Sequence, residues 1–214
     1  MKAKVDRTYS SPLRAEQAAA TRDRIVDATV ALLQDNDVSA FGMQDVADRA
    51  GVAVRTVYRA FPTKDHLIAG VLEAIKERFE AAAGDPPTTA DELEASVGPA
   101  VRAVFELEPQ YRALFATAAG RELHSRSSGA RRAATVEASF AEELAGLSPE
   151  QVAQFAALVH LVTSSRGVLF LKDYAGLDVD GTTAAVSWAL SAFIAAIRDP
   201  ARRATLGQTE EGAG

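Results

Sequence analysis

Residues 43–64, MQDVADRAGVAVRTVYRAFPTK, carry two short apolar repeats of the same interval. Met43, Val46, Ala47 and Ala50 stand at i, i+3, i+4 and i+7, and Val54, Val57, Tyr58 and Phe61 repeat that spacing. Each set predicts a short helix with one buried stripe. Gly51 follows the first set at the position where a helix closes in the left-handed conformation that glycine adopts most cheaply, and Val52 can pack into the angle between the helices. The pattern is that of a helix-turn-helix.

The outward face of the second helix presents Arg55, Thr56 and Arg59, which fall within about 100° of one another at roughly 3.6 residues per turn. Such a face suits a major groove. Arginine offers two donors to guanine O6 and N7, threonine reaches a phosphate or a thymine methyl, and Tyr58 at the edge of the stripe reaches a phosphate. Pro62 stops the helix, Thr63 is placed to cap the next, and Lys64 stands in its first turn, where free amides and an ammonium would hold a phosphate. With Gln44 from the preceding helix, the expected DNA-contacting set is Gln44, Arg55, Thr56, Tyr58, Arg59 and Lys64.

At Asp45, Val46, Ala47, Ala50, Gly51, Val52, Val57, Tyr58, Phe61, Lys64 and Leu67 the sequence resembles the TetR family of transcriptional regulators, over roughly residues 20 to 70. AGV followed by TVYRAFPTK and a leucine is a more specific signal than helix-turn-helix periodicity alone. The chain departs from the family at Gly42, which stands where threonine usually caps the first of the two helices and often touches a phosphate. The resemblance implies a sequence-specific DNA-binding regulator, most often a repressor. It further implies a homodimer formed by the last two long helices, a near-palindromic double-stranded operator, and a small-molecule effector bound in the C-terminal part.

Composition supports an all-α fold: 48% of the 214 residues are hydrophobic and only 7% aromatic, with alanine abundant. There is no cysteine, so neither disulfides nor thiolate metal sites arise. No apolar run approaching the ~18 residues of a membrane span and no signal peptide are evident, which points to a cytoplasmic protein. Net charge is −6, but unevenly placed: residues 1–66 hold ten Lys and Arg against nine Asp and Glu, and the remainder thirteen against twenty. DNA binding would therefore depend on local placement of cations and weaken as salt rises.

Along the chain, residues 1–20 suggest a flexible basic arm with Lys2, Lys4, Arg7 and Arg14. A first helix is expected over residues 21–34, a turn at Asp35, Asn36 and Asp37, and a seal beneath the recognition helix from Val38 and Phe41. The helix-turn-helix domain is thus residues 21–66, a larger helical domain residues 67–205, and a polar tail residues 206–214. A connecting helix carries Leu67, Ile68, Val71, Leu72, Ile75 and Phe79. Beyond it, Thr89 to Glu92 spells a capping box, Gly98 and Pro99 predict a kink, Ser127 to Gly129 a break, and Ser148 to Gln151 a second capping box opening a long eighth helix through Phe170. A last helix covers residues 182–198, giving about nine in all.

Polar and aromatic residues among apolar neighbours in the larger domain are Phe105, Tyr111, Phe115, Phe155, His160, Thr163, Arg166 and Trp188, the candidate ligand contacts. For any one of them core packing, inter-subunit hydrogen bonding or solvent exposure is a more common role than ligand contact. Two rivals stand beside the ligand-responsive repressor: a constitutive DNA-binding regulator, and a helical enzyme. Against the enzyme, His66, His124 and His160 lie far apart and no HExxH, P-loop, GxSxG or GxGxxG occurs. No cofactor and no metal is expected, and scattered glutamates such as Glu106 and Glu142 suit solvated helix faces.

Overall fold

The structure is a computed structural model that describes residues 12–35, 40–116 and 118–206. It contains only helices among the described residues, and it divides into two compact units, Met1–Ala74 and Ile75–Gly214.

The first unit is built from α1 (Pro12–Asp35), α2 (Met43–Ala50), α3 (Val54–Ala60) and the start of α4 (Lys64–Ala83). Ile25, Val26 and Val30 of α1, Val46 and Ala47 of α2, Val57 of α3, and Leu67, Ile68 and Val71 of α4 are buried, with Phe61 closing the core just past α3. Burying such side chains contributes on the order of 1.5–3 kcal/mol each, which is what holds two helices of eight and seven residues that would not persist alone. Gly51 ends α2 at φ 64° and ψ 41°, and its N–H and that of Val52 donate to the carbonyls of Asp48 and Ala47. Gly70 is required for packing rather than for backbone: a Cβ there would stand 2.2 Å from Cε1 of Phe61.

Two expectations change here. The first helix begins at Pro12, not residue 21, so residues 12–20 of the expected arm are helical; the rest of that arm and the turn through Val38 lie outside the described residues. The total is thirteen helical segments among the described residues rather than about nine.

The second unit contains the remainder of α4, then α5 (Ala90–Ala95), α6 (Val97–Glu106), α7 (Glu108–Ala116), α8 (Ala118–Ser139), α9 (Ala141–Leu144), α10 (Pro149–Thr163), α11 (Ser165–Ala175), α12 (Val179–Arg198) and α13 (Pro200–Ala204). The expected kink at Gly98 and Pro99 does not form. The break falls earlier, at Ser96, which leaves Pro99 third in α6, where a missing N–H interrupts no intrahelical bond. Nor is α8 broken at Ser127 to Gly129.

The expected long eighth helix is instead two helices bent by 52° at Ser164. Ser164 is extended at φ −73° and ψ 153°; its N–H closes α10 on the His160 carbonyl, and its Oγ opens α11 by accepting from Gly167 N–H at 3.0 Å. Gly167 is confined by this corner, since a Cβ would meet the Leu161 carbonyl oxygen at 2.1 Å. The Ser148 and Gln151 capping box forms as expected, at 3.0 and 3.3 Å. Helix α12 has the length and mean hydropathy, 1.3, of a membrane span, contrary to the expectation that no such stretch exists. Its Thr182, Val186, Leu190, Ile194 and Ile197 form one buried stripe, and much of the rest of its surface is left uncovered in the single chain.

Candidate nucleic-acid interface

Helix α3 places Val57 inward, fully buried, and thereby turns Arg55, Tyr58 and Arg59 outward, with Thr56 half-buried between them. Tyr58 belongs to this outer surface and not to the apolar stripe: half of it, 51%, is exposed. Gln44 is exposed on α2 and donates to Asp48 Oδ1 at 2.8 Å. The entry to α2 is capped without a hydroxyl, because Asp45 reaches back and its Oδ2 accepts the Gly42 N–H at 2.6 Å.

Lys64 is placed differently from expectation. Its ammonium donates to the Phe41 carbonyl and lies 4.2 Å from the centroid of the Phe41 ring, so it ties the loop before α2 to the start of α4. Thr63 does cap that helix: its Oγ1 accepts the His66 N–H at 3.2 Å and meets His66 Nδ1 at 2.7 Å.

The early start of α1 adds residues that periodicity of apolar side chains could not find. Arg14, Gln17, Thr21 and Arg22 line a groove with Thr56 and Arg59. Arg14, Gln17 and Thr21 stand at i, i+3 and i+7, so the signal there lay in polar rather than apolar residues. The Arg22 guanidinium is held 4.3 Å above the Phe61 ring. Arg14, Arg22 and Arg59 thus give one side of α3 a cationic margin of the kind that phosphates occupy.

The ligand candidates do not form one site. Thr163 lines a largely apolar cleft of about 150 Å³ with Phe79, Val97, Val101, Arg132 and Val186. Phe115 and Arg166, whose guanidinium is 4.8 Å from the Phe115 centroid, border a separate open depression. Tyr111 and Phe155 are core side chains, the latter edge-on to Phe140 at 4.9 Å, and Phe105 lies under the Lys172 ammonium at 4.9 Å. His160 is half-buried with an unpartnered Nδ1. Trp188 is 76% exposed on α12 and lines neither hollow.

Charge within this unit is arranged for structure. Arg112 grips Asp173 at 2.6 and 3.1 Å and Glu108 at 2.7 Å, and Lys172 also pairs with Glu108, which joins α7 to α11. Those cations hold the Glu108 and Asp173 carboxyls below the usual range. Burial, helped by Arg132 and Arg166, pushes the His124 imidazole down to about 4, and burial lowers His160 in the same direction. Arg132, which sequence alone did not single out, faces the cleft; it sits in a basic stretch indistinguishable from a solvated face until α10 is packed over it.

Comparison with known proteins agrees with the first unit most strongly. Residues 25–71 match the family model described as bacterial regulatory proteins, tetR family. The chain is similar to the HTH-type transcriptional repressor KstR of Rhodococcus jostii, 46% identical over 66 residues, which is 31% of each protein. It is 44% identical over 71 residues to KstR of Mycolicibacterium smegmatis, or 33% of this chain and 35% of that one. The match thus spans about a third of the length of these relatives. The fold extends further: NalD, the secondary repressor of the MexAB-OprM multidrug efflux pump in Pseudomonas aeruginosa, aligns with a TM-score of 0.58 over 83% of this chain and 97% of that one, at 20% identity. A transcriptional regulator structure from P. aeruginosa PAO1 aligns with a TM-score of 0.60 over 92% and 98%, at 17% identity.

Proposed function

We propose that this chain, a member of the TetR family of regulators, represses transcription in the cytoplasm by binding a near-palindromic operator as a homodimer and leaves it when a small molecule occupies the second unit. The observation that carries the DNA-binding part is α3: an inward Val57 fixes the helix, and Arg55, Thr56, Tyr58 and Arg59 remain outward with a cationic groove alongside. Arg55 is the base reader; Arg59 and the α1 side chains Arg14 and Arg22 take phosphates.

Dimerisation is supported by where apolar surface remains. Apart from Tyr58, the exposed large apolar side chains among the described residues are Leu158 and Leu161 of α10, Phe170 and Tyr174 of α11, and Trp188 of α12. Only 28% of the most apolar stretch of α12 is buried in the single chain. A second copy covers such a face most simply, and two-fold symmetry then offers two α3 helices to major-groove faces about 34 to 36 Å apart. The cleft favours effector release over a constitutive regulator, whose second unit would need no hollow. The relatives matched over the first unit are transcriptional repressors, which favours a regulator over an enzyme.

Selection of bound duplexes from a random pool tests the proposal. Enrichment of two inverted half-sites about one helical turn apart is expected, with affinity falling as salt rises. Recovery of no preferred duplex at low ionic strength would end it.

A further inference from the structure

The cleft of the second unit has apolar walls, Phe79, Leu93, Val97, Val101, Val168 and Val186, and a guanidinium set into them. Arg132 is half-buried and faces the hollow. Its Nη1 donates to the Thr163 carbonyl at 3.0 Å, in the last turn of α10, where the helix dipole favours a cation. Its Cζ lies 5.9 Å from the Phe79 centroid. A guanidinium has five N–H donors, and no carboxylate of the described residues lies within ion-pair distance of Arg132.

The charged groups around it do not supply the missing anion. Arg131 is a second cation, already paired with Glu80 at 3.4 Å, and His124 and His160 are neutral near pH 7 because burial and Arg132 itself hold their pKa down. Tyr111 is buried and its hydroxyl is raised above the ordinary phenol range. Glu80 and Asp85 are both exposed lining residues. An arginine does not shed its proton, so the fold keeps a charge in a low-dielectric wall with a helix end and one carbonyl as compensation.

From this we infer that the effector is an apolar molecule bearing a carboxylate, its body against the valine and phenylalanine walls and its carboxylate on the free N–H edge of Arg132. The inference rests on the effector-responsive reading above and specifies its ligand class. A planar carboxylate accepts two parallel N–H bonds from a guanidinium, and the pair gains strength where water is excluded. A volume of about 150 Å³ suits a body of benzene to octyl size.

The test uses three probes of equal chain length on the full-length protein without DNA: octanoate, 1-octanol and octylammonium, measured by calorimetry at fixed salt. Octanoate should bind at least ~10-fold more tightly than 1-octanol, with octylammonium weakest. In Arg132→Met the acid's advantage should vanish while 1-octanol affinity stays within about threefold; Arg132→Lys, which keeps the charge and loses the fork, should fall between and serves if the Met variant does not fold. Equal affinity for acid and alcohol, a preference for the ammonium, binding of none of the three, or an acid preference that survives Arg132→Met would each overturn the inference. Operator binding, measured separately, keeps the two readings apart. Release by a neutral probe alone would sink the carboxylate assignment and leave the regulator standing, whereas a protein with no operator preference would sink the regulator whatever the probes do.

Discussion

Among the described residues up to Ala74, a single large apolar side chain, Tyr58, is exposed, whereas from Ile75 onward Leu158, Leu161, Phe170, Tyr174 and Trp188 all are. The first unit uses its apolar residues for its own core and shows its surroundings arginine, threonine and a phenol. The second leaves apolar area uncovered on three successive helices and keeps a hollow as well. On the function proposed above, the two units divide by kind of partner: charged polymer for one, a second copy and a small molecule for the other. A folded chain normally has little reason to leave several large apolar side chains on neighbouring elements in water.

The sharpest way to break this contrast is to remove the uncovered face. Phe170→Asp with Trp188→Asp should yield monomers in sedimentation and lower operator affinity about 100-fold or more in fluorescence anisotropy, because the second half-site is no longer delivered by the first. Unchanged affinity in a monomeric variant would mean that one unit reads DNA by itself. Next in size, Arg55→Ala should cost roughly 1–3 kcal/mol of operator binding and relax base preference at one position of each half-site. Lys64→Met sharpens the same point: with its ammonium on the Phe41 carbonyl, it should lower thermal stability and leave the salt dependence of binding unchanged, whereas a phosphate contact would reduce that slope by about 1.

Packing within each unit gives a third comparison. Gly70→Ala drives a methyl into the Phe61 ring and should destabilise the first unit by about 1–3 kcal/mol in hydrogen exchange. Amides of the second unit should keep their protection; a uniform loss would show that the two units unfold together. The smallest effect separates them by pH. His124 sits near 4 instead of 6.5, so above pH 6.5 it is neutral folded and unfolded alike, and between 6.5 and 4 only the unfolded chain takes up the proton. Stability should therefore fall with acidification, by about 1 kcal/mol from pH 7.5 to 5.5, with His160 adding in the same direction. His124→Gln should flatten the denaturant midpoint across that window.

Legibility from sequence divides along the same line. In α2, the turn and α3 every determinant is local: an apolar interval, a glycine with positive φ, a proline stop and a threonine cap, each acting within a few residues. The outward set on α3 was legible for that reason. Lys64 was not, because its partner is Phe41, which no spacing rule connects to it. In the second unit the corner at Ser164 was hidden by an apolar period that runs on through Val168 and Leu169, although Ser164 with Gly167 is a helix opening in its own right. Trp188 read as a pocket residue because aromatic character among apolar neighbours does not tell an inner face from an outer one; that depends on which stripe of α12 the other helices cover. Arg132 became visible only once α10 enclosed it.

Gly42 leaves one door open. The backbone there is extended at φ −114° and ψ −179°, and an added Cβ would come no nearer than 3.7 Å to Asp45 Oδ2, so neither the backbone nor the space at Cβ demands glycine. The missing hydroxyl at the mouth of α2 is thus a matter of side-chain choice and not of geometry, and Gly42→Thr would restore it without reshaping the protein. On the proposed function, a small gain in affinity shared evenly by all duplexes is the signature such a variant should leave.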